Sequence, residues 1–363
     1  MSRILFIASH RKDRAPNQRF RFEQYLPYLE QHGVHGELSS IISEADDRFL
    51  YRRGHYLQKL GLHLRAMRTR SRDVARAGTF DVVFVCREAM LTGSTAYERR
   101  LRRRAPRLVF DFDDAIWNLD VSEANRAMAW LKNPGKTAEL IAMADTVLAG
   151  NRYLADYARQ YNPHVVIVPT TIDTDEYVPA ARREESAVCI GWSGSVTTIK
   201  HFDEAVPALC VLKDRYGDRV RFKVIGDAAY AHRELGIHGI AWNRHDEIAE
   251  LSSIDIGIMP LPDDEWARGK CGLKGLQYMA LEIPTVMSPV GVNCEIVSHG
   301  INGLLAASRD EWVEELGSLI ESAERRAAIG RAGRRTVEER YSVRAWRDEY
   351  VRLLAPRGDS SRV

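Results

Sequence analysis

At 363 residues, 45% hydrophobic and 28% charged, the chain has apolar material for more than one core, and two domains are the natural expectation. No apolar run approaches the ~18 residues of a membrane span, and the opening MSRILFIASHRKDR has too short an apolar run for a signal peptide. Net charge is +2, yet residues 1–110 hold 22 Lys and Arg against 11 Asp and Glu, which points to an anionic partner there: a phosphorylated ligand, an anionic membrane or nucleic acid. Cys86, Cys189, Cys210, Cys271 and Cys294 are widely spaced with no CxxC. That argues for free thiols in a cytoplasmic protein and against a disulfide frame or zinc site.

In chain order, RILFIAS reads as a buried strand and FRFEQYLPYLEQHG as a helix, followed by a strand near HGELSS and a long helical stretch. Then come the strand DVVFVC, a helix near STAYERRLRRR, the strand RLVFDF, helices on either side of DTVLAG, and HVVIVPT. Short apolar runs between helices mark parallel strands covered on both faces. After the polar stretch VPAARREES the pattern restarts with AVCIGWSGS, a helix through FDEAVPALCVLKDRYG, then the strands RFKVIGD, GIAW, DIGIMP and PTVMSP with helices between. The expected division is an N-terminal Rossmann-like domain over 1–178, a second over 187–341, a helix over 342–355 that packs back on the first, and a disordered tail over 356–363.

Chemistry in such folds sits beyond the carboxyl ends of the strands. LVFDFDDAIW puts Asp111, Asp113 and Asp114 at one such end, beside Arg87 and Glu88 at another. Asp-x-Asp can hold a divalent metal, or its carboxylates can face a cleft. The alternative is structural: Asp111 pairs with Arg87 and Asp114 caps the next turn. The loop SHRKDRAPNQRFRF offers His10, Asn17, Arg19 and Arg21; its arginines suit a phosphorylated or lipid-diphosphate acceptor, or only bridge across the surface. In GWSGSVTTIK, Gly194 and Ser195 let backbone N–H groups approach an anion at a helix start, with Lys200 adding charge. RGKCGLKGLQYMAL sets Gly269, Lys270, Gly272 and Lys274 at the start of another helix, with Gln277 about one turn on. Helix N–H donors plus two ammonium groups suit a diphosphate, and the Gln277 amide suits a ribose hydroxyl.

With ADTVLAGNRYLADYARQY, VVIVPTTIDTDEYVP, IGWSGSVTTIKHF, DFDDAIW and the run IDIGIMPLPDDEWARGKCGLKGLQYMALEIPTVMSPVGVNCEIV on view, the chain resembles the family 4 retaining glycosyltransferases, glycosyl transferases group 1. The resemblance covers most of the chain and is strongest over 145–305. It implies the α/β GT-B architecture: two doubly wound Rossmann-like domains and an interdomain cleft. It also implies a UDP- or GDP-linked nucleotide sugar as co-substrate and no further cofactor. Lys200 and Lys274 would then contact the diphosphate, and Gly194, Ser195 and Lys270 would belong to the donor loops. N–H groups around Cys271, Gly272 and Leu273 would face sugar and phosphate. Gln277 would take the ribose, and Trp242 and Asn243 would flank the base. One departure stands out. The family commonly carries two glutamates eight positions apart, where this chain has Gly269 and Gln277; Glu265 lies close in sequence as a substitute.

In a GT-B enzyme, lysines and helix N-termini meet the leaving diphosphate, so a metal at Asp-x-Asp loses its purpose. Asp113 and Asp114 are then expected where acceptor and donor sugar meet, bonding a hydroxyl or receiving the acceptor proton. The resulting reading is a metal-independent hexosyltransferase of polysaccharide biosynthesis acting on a glycan or lipid-linked acceptor. Its alternatives are a nucleotide-sugar epimerase of the same fold and a non-catalytic nucleotide- or glycan-binding protein. Nucleic-acid binding is disfavoured because the arginines lack interleaved stacking positions. Finally, Leu57, Leu60, Leu64 and Met67 fall at helical spacing among Lys59, Arg65, Arg68, Arg70 and Arg72. The default is a stripe buried in its own core. The second reading is peripheral docking on anionic lipid at the inner face of the membrane, reinforced by RRLRRRAPR.

Overall fold

A computed structural model describes residues 2–50, 52–118, 133, 135–180 and 187–355. The tail expected to be disordered, 356–363, and most of the polar stretch VPAARREES lie outside these residues. The chain forms two compact units: residues up to Thr170, joined by those from Arg347 on, and Thr171–Trp346.

The first unit runs β1 (Ser2–Ile7), α1 (Pro16–Arg19), α2 (Leu26–Gln31), β2 (Val34–Ser39), α3 (Glu44–Leu50), α4 (Tyr56–Arg76), β3 (Val82–Cys86), α5 (Ala96–Arg104), β4 (Leu108–Phe112), α6 (Gly135–Met143), β5 (Thr146–Ala149), α7 (Arg152–Arg159) and β6 (Val165–Ile167). Its six strands pair in the order β2-β1-β3-β4-β5-β6, all parallel. β3 and β4 are buried at every residue, as strands covered on both faces must be. The helix expected across residues 20–33 is broken. Phe22 turns into the core and stacks on Phe6 at 4.8 Å, and α2 restarts with Pro27 in its first turn, where the missing N–H is harmless.

The second unit runs β7 (Val188–Ser193), α8 (Ile199–Asp203), α9 (Val206–Tyr216), β8 (Val220–Ile225), β9 (Ala231–His232), β10 (Ile237–His238), α10 (Glu247–Ser252), β11 (Ile256–Met259), α11 (Glu265–Arg268), α12 (Leu273–Ala280), β12 (Thr285–Met287), α13 (Asn293–Ile296), β13 (Leu304–Leu305), α14 (Arg309–Glu321) and α15 (Ala323–Thr336). Five strands pair in the parallel order β13-β12-β11-β7-β8, and β9 and β10 form a small antiparallel ribbon. The strand expected at GIAW is only a bridge between Ile225 and Ile240, because Gly226, at φ +126°, turns the chain as soon as β8 ends. The last helix, α16 (Val343–Leu354), belongs to the first unit from Arg347 on. There Tyr350 stacks on Tyr25 at 4.0 Å, and its hydroxyl donates to the Arg21 carbonyl.

In each sheet the earliest strand is flanked by the second and the third: β1 by β2 and β3, β7 by β8 and β11. These reversals are the topological switch points, and the loops beyond their carboxyl ends are where a doubly wound sheet binds ligand.

Candidate functional site

In the second unit the loop after β7 and the start of α12 share a buried underside. Trp192 and His201 are both buried there. The Lys274 ammonium lies 5.2 Å from the centre of the Trp192 ring, and the Lys270 ammonium 4.5 Å from that of Trp266. Burial, then the charges of Lys274, Lys270 and Lys200 in that order, lower the His201 pKa to about 4. Three lysines from two loops thus act on one point in the fold. Such a concentration of positive potential favours an anion. Tyr278 ties the two loops together, since the Ser193 N–H donates to its hydroxyl at 2.7 Å.

The two helix starts differ. α8 is only five residues long, and the N–H groups of Gly194 and Ser195 are already taken, by the Ile225 carbonyl at 2.9 Å and the Thr198 hydroxyl at 3.0 Å. The expectation that these amides approach an anion is corrected: the loop presents hydroxyls instead, with Ser195 Oγ 3.0 Å from Thr197 Oγ1 and 3.1 Å from Thr198 Oγ1. α12 is the better terminus. Gly272 sits at its N-cap with φ +71°, no side chain caps it, and a Cβ on Gly272 would lie 2.3 Å from Ile296 Cδ1. The left-handed backbone favours glycine, and the first-turn N–H groups beyond it lack intrahelical acceptors by helix geometry. Cys271 is buried beside it, and Gly269 ends α11, whose first residue, Glu265, is exposed.

Gln277 is buried, and its amide nitrogen donates to Tyr177 Oη at 3.0 Å and Glu247 Oε1 at 3.3 Å. Glu247, buried in the first turn of α10, also accepts from Trp242 Nε1 at 2.9 Å and from the Tyr177 hydroxyl at 3.0 Å. Its neighbour Asn243 donates to Asp246 at 2.9 Å. Tyr177 and Glu247 escaped sequence reasoning: Tyr177 enters only as part of the stretch VVIVPTTIDTDEYVP, Glu247 sits in no motif, and 70 positions separate them.

In the first unit the aspartates divide. Asp111 is fully buried against Arg21, whose Nε donates at 3.2 Å and whose Nη2 donates to the other carboxylate oxygen at 2.5 Å. The expected Asp111–Arg87 pairing is therefore corrected. Arg87, itself at φ +61°, instead holds Asp113 at 2.7 Å and Asp114 at 3.6 Å. Arg21 is a core residue whose remaining Nη donates to the Val168 carbonyl, and Arg19 is buried with its guanidinium 4.8 Å from the Phe20 ring centre. Their expected role as exposed acceptor-side cations is corrected: both fold inward because the break after α1 points this segment at the core. Asn17 donates to the Cys86 sulfur at 3.6 Å, and burial followed by the Arg14 charge lowers the His10 pKa to about 4. Away from both loops, Cys210, His232 and Glu234 bring ligand-type atoms within 4.8 Å of one another, a grouping invisible in the cysteine spacing.

Residues 187–322 match the family model of glycosyl transferases group 1. Among curated proteins no sequence match is found. In solved structures, HepE of Anabaena, crystallised with UDP and glucose, superposes with a TM-score of 0.66 at 16% identity over 98% of this chain and 99% of its own. Sucrose-phosphate synthase of Thermosynechococcus elongatus gives 0.67 at 11% identity over 97% and 98%. A glycosyltransferase of Rickettsia africae gives 0.68 at 12% identity over 97% of each chain. At such identities the likeness speaks for the fold. The chain is thus a GT-B protein of two doubly wound Rossmann-like units, and its residues 187–322 carry the glycosyl transferases group 1 sequence.

Proposed function

We propose that the chain is a retaining, metal-independent glycosyltransferase that moves a hexose from a nucleotide diphosphate sugar to a hydroxyl of a glycan or lipid-linked acceptor. The observation that carries this reading is the clustering of Lys200, Lys270 and Lys274 about buried His201, with Lys274 over Trp192, beside the uncapped start of α12. A leaving diphosphate bound there would have its charge met by ammonium groups and helix amides, the preorganised stabilisation that lowers a transfer barrier most. The Gln277 carbonyl would meet a ribose hydroxyl, and Trp242 with Asn243 would border the base. HepE was crystallised with UDP-glucose, which makes uridine the first base to test.

In the first unit, Asp113 and Asp114 held by Arg87 would orient the acceptor hydroxyl, with His10 after β1 and Asn17 against Cys86 at the same carboxyl end of the sheet. In a front-face transfer the acceptor oxygen bonds the anomeric carbon as the bond to the diphosphate breaks. The acceptor proton passes to the departing phosphate oxygen or to Asp113. The chain's contribution is orientation and charge stabilisation.

Thermal shift against UDP, GDP and UDP-glucose tests the donor site. Saturation at ~100 Kd stabilises a binder by about 2.7 kcal/mol, and Lys274→Met is expected to abolish most of that shift. No shift with any nucleotide diphosphate, or an undiminished shift in Lys274→Met, defeats the reading. Donor turnover without an acceptor would favour the epimerase.

A further inference from the structure

We propose that the outward face of α4 is a docking surface for an anionic phospholipid membrane. The helix is inverted relative to ordinary amphipathic packing. Leu57, Leu60, Leu64 and Met67 are 85%, 54%, 49% and 39% exposed, while the opposite side, buried in the unit, carries Leu62, Ala66, Arg70 and Asp73. The expectation that this stripe lines its own core is thereby corrected.

The inversion is locked. The Arg70 guanidinium donates to the carbonyls of Ala8 at 2.6 Å and Ala89 at 2.7 Å and to Asp73 at 2.8 Å, and Asp73 accepts from the Ser39 hydroxyl at 2.6 Å. Rolling α4 to bury the leucines would pull the buried Arg70–Asp73 pair off Ala8, Ala89 and Ser39 and would expose Leu62 and Ala66 in exchange. The apolar face therefore stays outward. It runs from Leu57 to Met67, eleven residues and about 15 Å of helix axis.

Positive charge borders it. Arg68 and Arg72 are exposed and have no ion-pair partner among the described residues. Tyr97 of α5 donates to the Met67 carbonyl at 3.1 Å, and Arg100 lies 5.5 Å from the Tyr97 ring centre, so α5 extends the basic border, with Arg103 and Arg104 exposed in its last turn. An aliphatic stripe edged by arginines matches the boundary between acyl chains and anionic headgroups. A second copy of the chain would bring like-charged borders together. A single-stranded nucleic acid would need a series of stacking rings, and the exposed stripe offers one, Tyr56, beside four non-aromatic side chains.

The test is cosedimentation of the full chain with vesicles of phosphatidylcholine alone or with about 30% phosphatidylglycerol, at low and high salt. Binding is expected only to the anionic vesicles and to weaken with salt. Leu60→Gln/Leu64→Gln and Arg68→Glu/Arg72→Glu are each expected to lower the partition coefficient about tenfold or more, with unchanged circular dichroism because all four side chains are exposed. No binding to anionic vesicles at low salt overturns the proposal, as does binding that survives either pair. So does a concentration-dependent dimer in sedimentation velocity that the leucine pair dissolves.

Discussion

Asp111→Asn isolates the role of the aspartate run. The replacement keeps the shape of the side chain and removes its charge. Arg21 then remains in the core with one uncompensated positive charge, since both partners of the pair are fully buried. Breaking such a pair by removing one member destabilises by about 3–5 kcal/mol. For a unit of this size, each kcal/mol moves Tm by about 2–4 °C, so a drop of roughly 6–20 °C is expected in the transition of the first unit. Calorimetry with urea melts followed separately for each unit reads it. Asp113→Asn, whose partner Arg87 is partly exposed, should move stability by about 1 kcal/mol or less. The double variant Arg21→Met/Asp111→Leu should recover much of the loss, because apolar packing can replace a buried ion pair. A shift below about 1 kcal/mol in Asp111→Asn, or no recovery in the double variant, would refute the assignment of Asp111 to the core.

His10 and His201, lowered to about 4 from an ordinary 6.5, are neutral in the folded chain at pH 7. Between pH 6.5 and 4 the unfolded chain takes up these protons first, so stability is full above pH 6.5 and falls as the pH drops toward 4. Imidazole NMR titration reads the two midpoints, and midpoints near 6.5 would contradict the burial described here. A bound nucleotide diphosphate should raise the His201 midpoint by offsetting the lysines. Gly272→Ala forces a side chain into the left-handed region and against Ile296. It should destabilise the second unit by about 1–3 kcal/mol in urea melts, and a neutral effect would show that α12 starts differently.

Both doubly wound sheets were legible in the alternation of short apolar runs with helical segments, because a strand buried on both faces has no polar alternate. The two-residue β13 was not, since Leu304–Leu305 is too short to carry a pattern. Lys270, Lys274 and Gly272 stood out as candidates because lysines and glycines cluster within a few positions of a helix start. Arg21 misled for the opposite reason: its partner is 90 positions away, so a buried cation looked like a surface one. The stripe on α4 misled more subtly. A 3.6-residue period reveals that one face is apolar but not which way that face looks. The sign lay in Arg70 and Asp73 on the other face, and only their hydrogen bonds with β2 and with the chain after β1 and β3 give it meaning.

The Gln277 contacts give an amide a purpose at a position where the family resemblance leads one to expect an acid. Glu247 accepts from Gln277 Nε2 as it does from Tyr177 and Trp242, so the NH2 group of Gln277 faces it and the carbonyl oxygen is turned to the other side. A carboxylate in its place would set two acids about 3.3 Å apart, and one would have to hold a proton. Positions 247 and 277 therefore form a matched set: acid on α10 with amide on α12. Converting Gln277 to glutamate makes sense only if Glu247 is exchanged in the same step.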